Sequence, residues 1–583
     1  MPSSDSLAPR TFSTANPNPT DPYLADSAVV KLIEFFEAKG LAAIKDEDRR
    51  EEWYADWLAY QAKHHLYADL LTPKKFNAAG TGLDLLRLTR FLEVFAYFSP
   101  AHGYSMQVTF LGLFPILMSS NAALQEEAIA SLRAGGMMAL GVSEKDHGAD
   151  LFGNELTLTP DGLGQYIASG SKYYIGNANV AWIITTLARQ RSAQEGGEMA
   201  EDVPEKRVPF ALFALRPQSS TGFIPARKIR TIGVRAAFVG EFDIRNHPVP
   251  EADIISEGRK AWDGVFGTIM LGKFFLGFGS IGICQHALAE SIAHLRSRIL
   301  YGKPALEMPH LRTAASLAYA RLLGMKLYAY RALDYLRSAI ATDRRYLLIA
   351  AVQKAKVSTE GVKVIALLME CLGAKAMVSD TFIEMALRDA QLIPAVEGST
   401  HVNLGLTAQF LNRYFWRPRR NLAPPPSMTA GEISGENPYL FEAKSGATGA
   451  VPFAPFLRAY VPFRHIPNVR IFARQAHAFR GLLHARRIRK APAADLEMTL
   501  MLGQLLATIA YGQLIAESAA RQNLGGEMVA AIFHPLILDL SAIALQFESL
   551  PQLESSDRLL IHRLIAVPQT RREDWDVIGA CLR

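Results

Sequence analysis

Met137-Met-Ala-Leu-Gly-Val-Ser-Glu-Lys-Asp-His-Gly-Ala-Asp150 is the stretch where this chain changes texture. Before it, from residue 26 to about 133, apolar residues recur every three or four positions, as in Ala28-Val-Val-Lys-Leu-Ile-Glu-Phe-Phe36. That period is helical, and no strand pattern interrupts it. After it come short runs of β type. Residues 165–175 read as two strand pieces about a Ser169-Gly170-Ser171 turn. Trp182-Ile-Ile-Thr-Thr-Leu-Ala188 and residues 208–215 read as buried strands, and 238–249 as the last strands. Residues 190–206, with paired glycines and several acids, read as an exposed loop.

Helical spacing returns near Ala261. It runs over 265–299, 311–340, 346–372 and 400–416, which predicts an antiparallel four-helix bundle. Asn421-Leu-Ala-Pro-Pro-Pro-Ser427 reads as a linker, and a helical pattern continues to Arg583. The expected fold is mainly α with a central β domain. Its parts are a disordered tail (1–25), an N-terminal helical domain (26–136), a small β-barrel (137–255), a four-helix bundle (256–418) and a linker with a C-terminal helical extension (419–583).

Composition sets outer limits. The 583 residues are 49% hydrophobic and 20% charged, as in large globular proteins. Cys284, Cys371 and Cys581 lie far apart, which argues against a disulfide framework or a cysteine zinc site. Residues 1–22 are rich in Ser, Pro, Asn and Thr, unlike a secretory signal. No wholly apolar run reaches the ~18 residues that span a bilayer; residues 270–284 come nearest. The net charge of +6 identifies no partner by itself. His147 has no second ligand at metal-like spacing, and no metal is expected.

Val396-Glu397-Gly398-Ser399-Thr400 is the most informative short segment. It is an acidic turn at the start of a helical pattern, a setting that suits a general base reaching into an apolar pocket. The bland alternative is a helix cap made by Ser399 and Thr400.

From about residue 28 to 416 the chain resembles the acyl-CoA dehydrogenase superfamily, and a run of motifs in family order carries the likeness. Gly141 to Asp150 is similar to the family's TEPxxGSD signature. Ser143 keeps the flavin-facing hydroxyl, whereas Ala149 replaces a serine that contacts cofactor or substrate. Gly170-Ser-Lys-Tyr-Tyr-Ile-Gly-Asn-Ala178 is similar to GxKxWITNxxxA. Tyr174 holds the place of the aromatic that covers the flavin. Gly176 stands where a threonine hydroxyl bonds near flavin N5. Residues 233–250 resemble the close of the β domain. Lys273 lies in the first bundle helix, where the family often has arginine and where the resemblance implies a substrate contact.

Arg298-Ile-Leu-Tyr-Gly-Lys303 is similar to RxxFGK. The likeness implies that Arg298 reaches the FAD pyrophosphate of a neighbouring subunit and that Tyr301 packs on the cofactor. Pro309 replaces the glutamine that usually follows. Glu370-Cys-Leu-Gly-Ala374 resembles a flavin-contacting QxxGG segment, with Glu370 and Gly373 at the contact. Arg388-Asp-Ala390 followed by Glu397-Gly-Ser-Thr400 resembles RDAxxxxxYEGT. That likeness makes Glu397 the catalytic base, Gly398 a substrate contact and Thr400 a cofactor contact.

The resemblance implies FAD-dependent α,β-dehydrogenation of an acyl thioester, acyl-CoA to trans-2-enoyl-CoA. Glu397 takes the α-proton and the flavin takes the β-hydride. It also implies an electron-transfer flavoprotein as acceptor and a homodimer or homotetramer; the expected place, fitting the scattered cysteines, is cytoplasmic or peripheral to a membrane. Departures at Ala149, Gly176, Pro309 and Glu370 leave open a carrier-protein-bound (acyl-carrier protein) substrate or an oxidase.

No acid occurs between Glu442 and Asp495, while the stretch carries many basic residues. Val469, Phe472, Ala476, Phe479 and Leu483 share one helical face; Arg470, Arg474, His477, His484 and Arg487 share another. Such a helix suits an anionic membrane surface or another anionic partner. The alternative is a helix packed on the bundle with its basic side in water. Very-long-chain members of the family carry a similar extension for membrane association. A branch linked to alkylation response carries a basic one for nucleic acid, so a flavin-containing nucleic-acid-binding protein is the competing class.

Overall fold

The computed structural model describes the chain apart from residues 1–8, 16–20, 78–81, 192–208, 428–434, 443–450, 487, 489–494 and 552. It divides into two compact units. The first holds Ser13–Phe275 and Gly435–Gly446; the second holds Met1–Phe12, Leu276–Ser434 and Ala447–Arg583.

Among the described residues the first unit begins with six helices: α1 (Ser27–Arg50), α2 (Ala55–Lys63), α3 (Leu66–Leu71), α4 (Leu85–Phe98), α5 (Pro100–Met118) and α6 (Ala122–Arg133). Their starts follow local chemistry. The Asp26 carboxylate accepts from the Ala28 N–H, Asp84 accepts from Leu86 and Arg87, and Ser99 caps α5 with Pro100 just inside it. Helix α5 is apolar and buried on nearly every face, as a helix at the centre of a core must be. Part of the expected disordered tail is ordered. Ser13 Oγ donates to Glu37 at 2.5 Å, the Thr14 N–H does so at 3.2 Å, and the Tyr23 hydroxyl donates to buried Glu93 at 2.9 Å. These bonds to α1 and α4 are long-range, which is why the local composition did not reveal them.

Eight strands follow: β1 (Met137–Gly141), β2 (Thr157–Pro160), β3 (Gln165–Gly176), β4 (Ala181–Gln190), β5 (Phe210–Leu215), β6 (Phe223–Lys228), β7 (Val239–Pro250) and β8 (Ile254–Glu257). They form one mixed sheet in the order β6-β7-β3-β2-β4-β5-β8, with β1 pairing parallel to β4. Two expectations are corrected. Residues 165–175 are one strand, because the ladder to β7 runs from Gln165 opposite Pro250 to Gly176 opposite Val239. The Ser-Gly-Ser signal is a bulge within it. Strand β8 also lies beyond the expected last strand, and β6, with Pro225 in it, sits at the other end of the sheet order. Leu156, Ala168, Ile175, Ile184, Phe213 and Phe242 form the core beneath the sheet. Most of the expected exposed loop, residues 192–208, lies outside the described residues.

The long helix α7 (Arg259–Ser297) passes the division between the units after Phe275. In the second unit a hairpin follows, β9 (Ile299–Leu300) and β10 (Lys303–Pro304). Next come α8 (Pro309–Arg337) and α9 (Tyr346–Val352), which continues through a π turn at Gln353–Val357 into α10 (Ser358–Leu372). Helix α11 (Phe382–Leu392) precedes α12 (Thr400–Ala408) and α13 (Leu411–Trp416). The helix expected over 400–416 is therefore two pieces, broken at Gln409 and Phe410. The extension supplies α14 (Pro467–Ala485), α15 (Leu496–Arg521), α16 (Gly526–Glu548), α17 (Ser555–His562) and α18 (Arg572–Cys581).

The extension is keyed to the bundle by buried charge. Asp539 on α16 accepts from Arg321 of α8 at 3.0 Å and from Lys356 at 2.8 Å; Glu360 of α10 completes the cluster. Arg331 of α8 pairs with Glu517 of α15 at 3.1 Å. The expected linker is clamped rather than loose. The Pro425 carbonyl accepts from Arg331 at 3.1 Å and from Arg521 at 2.9 Å, and the Ala423 carbonyl from Arg345 at 3.0 Å. Proline leaves these carbonyls without a helical or strand partner, so arginine forks supply the donors.

Among the described residues three helices, α7, α15 and α16, are long and apolar enough to cross a membrane by length and composition, which revises the expectation that no segment is. Roughly three-quarters of each apolar window is buried within the fold, at 72, 78 and 78%. On α14 the apolar face of Val469, Phe472, Ala476, Phe479 and Leu483 is buried in the second unit, while Arg470, Arg474, His477 and His484 are exposed. Arg487 lies outside the described residues.

Candidate functional site

The expected site residues fall in both units. In the first, two of the quoted motifs are bound together by one buried lysine. Lys172 Nζ donates to Glu144 Oε1 at 2.9 Å, to Asn154 Oδ1 at 2.6 Å and to the Val142 carbonyl at 3.2 Å. Glu144 also accepts from the backbone N–H groups of Glu155 and Leu156 at 2.6 and 3.0 Å. Burial pushes the Lys172 ammonium down to about 8, and the Glu144 carboxylate works against that push. The result is a rigid loop, 142–156, pinned to the middle of β3.

Ser143 sits in that loop, half-buried, and its carbonyl accepts from the Tyr173 N–H at 3.0 Å. The next residue, Tyr174, takes φ 62° and is 57% exposed. A bulky residue adopts this left-handed conformation only when its surroundings enforce it. The effect is to present an aromatic face outward, where a flat ring can stack. Asn177, also left-handed at φ 58°, is locked by Nδ2 bonds to the carbonyls of Ser105 (2.9 Å) and Met138 (3.2 Å). Gly176 lies buried between them, with Tyr104 and Val108 of α5 behind it. Ala149 is exposed on the same loop as Ser143. Lys273 is buried on α7, with Nζ 3.8 Å from Met270 Sδ.

In the second unit, Glu397 lies in the turn between α11 and α12. Glu397 and Gly398 take φ 52° and 84°, two successive left-handed residues. The helix cap is Ser399, whose Oγ accepts from the Val402 N–H at 3.4 Å, so Glu397 is not the capping side chain. Asn403, fully buried one turn into α12, reaches back. Its Nδ2 donates to the Gly398 carbonyl at 2.8 Å and to the Ser399 carbonyl at 3.0 Å. Glu397, Gly398 and Thr400 are all half-buried. Behind α12, Gly503 of α15 lets the two helices approach so closely that a Cβ there would lie 2.2 Å from the Leu404 carbonyl oxygen.

Arg298 and Tyr301 are on the β9–β10 hairpin. Arg298 is exposed, and Tyr301 is 97% exposed at φ 51°. Glu370, exposed, lies near the end of α10, where Gly373 at φ 58° stops the helix. Burial, and then the positive charges of Arg298 and Lys375, hold the His294 imidazole below its usual range. The hairpin and the turn after α10 thus share one end of the bundle. Pro309, in place of the expected glutamine, serves as the first residue of α8.

Among the described residues, one cluster outside these motifs has ligand chemistry. Glu47, Asp56 and His102 bring ligand atoms within 4.8 Å of one another. The Lys39 ammonium already sits on both carboxylates, at 2.5 and 2.6 Å, and supplies the cation there.

Sequence reasoning quoted Lys172 and Asn177 without giving them a role, and it missed Tyr104, Asn403 and Gly503. A lysine inside a strand and an asparagine inside a helix were the available signals. Tyr104 and Gly503 carried none, because their partners are distant in sequence.

The fold has known relatives. Residues 262–411 match the family model of the acyl-CoA dehydrogenase C-terminal domain. The cyclohex-1-ene-1-carbonyl-CoA dehydrogenase of Syntrophus aciditrophicus is 24% identical over 358 residues, 59% of this chain and 81% of that protein. An acyl-CoA dehydrogenase of Bacillus subtilis is 22% identical, over 65% of this chain and 96% of its own. The structure of a Bacillus anthracis acyl-CoA dehydrogenase complexed with FAD superposes with a TM-score of 0.73 at 15% identity. It covers 99% of this chain, extension included, and 96% of its own. Motif order, the family match over residues 262–411 and the fold agree: the chain is similar to the acyl-CoA dehydrogenases.

Proposed function

We propose that this protein is an FAD-dependent dehydrogenase of an acyl thioester, with Glu397 as the base that removes the α-proton. The observation that carries the reading is the Glu397 turn: a half-buried carboxylate on two successive left-handed residues, braced by a buried asparagine. A general base needs such a fixed position. FAD, when bound, supplies the hydride acceptor that no side chain can provide. Ser143, the outward-facing Tyr174 ring and the small Gly176 offer a surface that fits a flat ring, with Tyr174 stacking on it. The Glu397 N–H is the group assigned to polarise the thioester oxygen. Ala149, Lys273 and Gly398 are assigned to the substrate, and Thr400 to the cofactor.

Arg298, Tyr301, Glu370 and Gly373 are proposed to act across a subunit boundary. The support is an exposed apolar set at that end of the bundle, Ile299, Tyr301, Met377 and Val378, beside an exposed guanidinium suited to a pyrophosphate. A homo-oligomer follows from this reading, with an electron-transfer flavoprotein as acceptor. The exposed basic stripe of α14 favours an anionic contact, at a membrane surface in a cytoplasmic protein.

The decisive experiment is Glu397→Gln. Purified protein is loaded with FAD and mixed with a panel of acyl-CoAs and acyl-carrier proteins. The wild type is expected to bleach the flavin band with one class of thioester; the variant is expected to bind FAD and leave the band intact. Full activity in Glu397→Gln removes the assignment of the base.

A further inference from the structure

Gly176 marks the place where the chain lacks a side-chain hydroxyl, and the space that a side chain there would need is already filled. A Cβ on residue 176 would lie 2.7 Å from Tyr104 Cε1, 2.7 Å from Val108 Cγ2 and 2.8 Å from Tyr104 Oη. Real Cβ atoms do not approach other heavy atoms so closely. A side chain at 176 would have to displace the Tyr104 phenol and the Val108 methyl, both projecting from α5 into the position. Tyr104 is half-buried and packs against the core of the β region.

The surroundings hold both partners rigidly. Residue 176 lies between Tyr174 and Asn177, both in enforced left-handed conformations. Asn177 Nδ2 bonds the Ser105 carbonyl at 2.9 Å and Thr109 Oγ1 at 3.3 Å. Both residues follow Tyr104 on α5, Ser105 directly, so one asparagine ties the helix to the end of β3. A phenol differs from a threonine hydroxyl in reach and acidity but offers the same donor and acceptor.

We propose that the Tyr104 hydroxyl makes the hydrogen bond to the flavin ring edge that residue 176 cannot make. The inference rests on the assignment of FAD to the surface around Ser143, Tyr174 and Gly176. It adds a residue from a different domain, with a different acidity, to that contact. Tyr104 is a cofactor-binding residue in this proposal and takes no proton from substrate.

The test compares Tyr104→Phe with the wild type. The variant keeps the ring and its packing and loses only the hydroxyl. It is expected to bind FAD about three- to tenfold more weakly, the range that one net hydrogen bond allows. The vibronic shape of the flavin absorption band and the midpoint potential are expected to change too, with the unfolding midpoint unmoved. A second pair of variants checks the geometry. Gly176→Thr alone is expected to lose FAD retention, because its Cβ meets the phenol. Gly176→Thr combined with Tyr104→Ala and Val108→Ala is expected to recover it. If Tyr104→Phe matches the wild type in FAD affinity, band shape and potential, the proposal is wrong. A change in the unfolding midpoint alone assigns Tyr104 to packing and also overturns it. If the wild-type protein takes up no FAD at all, the functional reading fails instead, and the two failures are distinct.

Discussion

Asn403 Nδ2 lies 2.8 Å from the carbonyl oxygen of Gly398, the residue that follows the proposed base. The same amide donates to Ser399 at 3.0 Å. One buried side chain therefore holds two carbonyls of a turn whose left-handed residues would otherwise relax. Asn403→Ala leaves both carbonyls short of a donor, at a cost of about 1–3 kcal/mol in denaturant unfolding. Turnover is expected to fall at least tenfold while FAD affinity stays within twofold. Asn403→Gln, which keeps the amide, should recover part of the rate. Equal losses of FAD affinity and rate would show that the turn does not serve the base alone.

The helix carrying that turn is braced by the C-terminal extension. Any side chain at Gly503 meets the Leu404 carbonyl oxygen, a backbone atom that cannot swing aside. Gly503→Ala is expected to push α12 outward, destabilise the fold by about 1–3 kcal/mol and lower turnover. Gly481→Ala, in open space on α14, is the control and should leave turnover unchanged. An active, fully stable Gly503→Ala protein would show that the extension does not support the site.

Lys172 gives a pH signature. Its ammonium is pushed down to about 8 by burial, against an ordinary 10.5, so the native state holds that proton less tightly than the unfolded chain. Between pH 8 and 10.5 the unfolded state binds more protons, and stability rises with pH. Below pH 8 the full cost, about 3 kcal/mol, is present and constant. Replacing both partners, Lys172→Met with Glu144→Gln, should remove this slope. The check is the difference between urea midpoints at pH 8 and pH 10 in the two proteins. An unchanged difference would show that Lys172 titrates normally.

Asp539 behaves in the opposite sense. Lys356, Arg321 and Lys363 hold its carboxyl well below the usual range despite burial. A depressed carboxyl contributes stability above its unfolded value of about 4, and that contribution is lost as pH falls further. Asp539→Ala leaves two buried cations under-compensated and should cost about 3–5 kcal/mol. It should also flatten the acid limb of the stability curve below pH 4. Limited proteolysis is expected to release the extension first, since Asp539 joins α16 to α8 and α10.

Vesicle binding reads the basic stripe of α14. Arg470→Glu with Arg474→Glu should change stability by less than about 0.5 kcal/mol, because both residues are exposed. Co-sedimentation with phosphatidylserine vesicles should fall several-fold, and binding of the wild type should weaken with salt. Binding to duplex DNA instead of vesicles would favour the nucleic-acid class.

The sequence alone determined the order of helical region, β region and bundle, because hydrophobic period is a local property of ten or so residues. It also singled out Glu397, Tyr174 and Arg298 as candidates, since each stands in a short motif. It did not reveal that Ser169-Gly170-Ser171 is a bulge, because a ladder to β7 decides strand from turn. By sequence the apolar face of α14 fitted a membrane surface, an anionic partner or packing on the bundle alike; α14 buries that face within its own unit. Tertiary structure alone placed Asn403 beneath the Gly398 turn, Gly503 behind α12 and Tyr104 in the space of a missing side chain. Each of those relations is a distance of a few ångströms between elements far apart in the chain, or between a side chain and a backbone it bends back to meet. Periodicity and motif record what a residue is and who its sequence neighbours are; only packing decides which hydroxyl, amide or absent Cβ stands beside a given turn or strand.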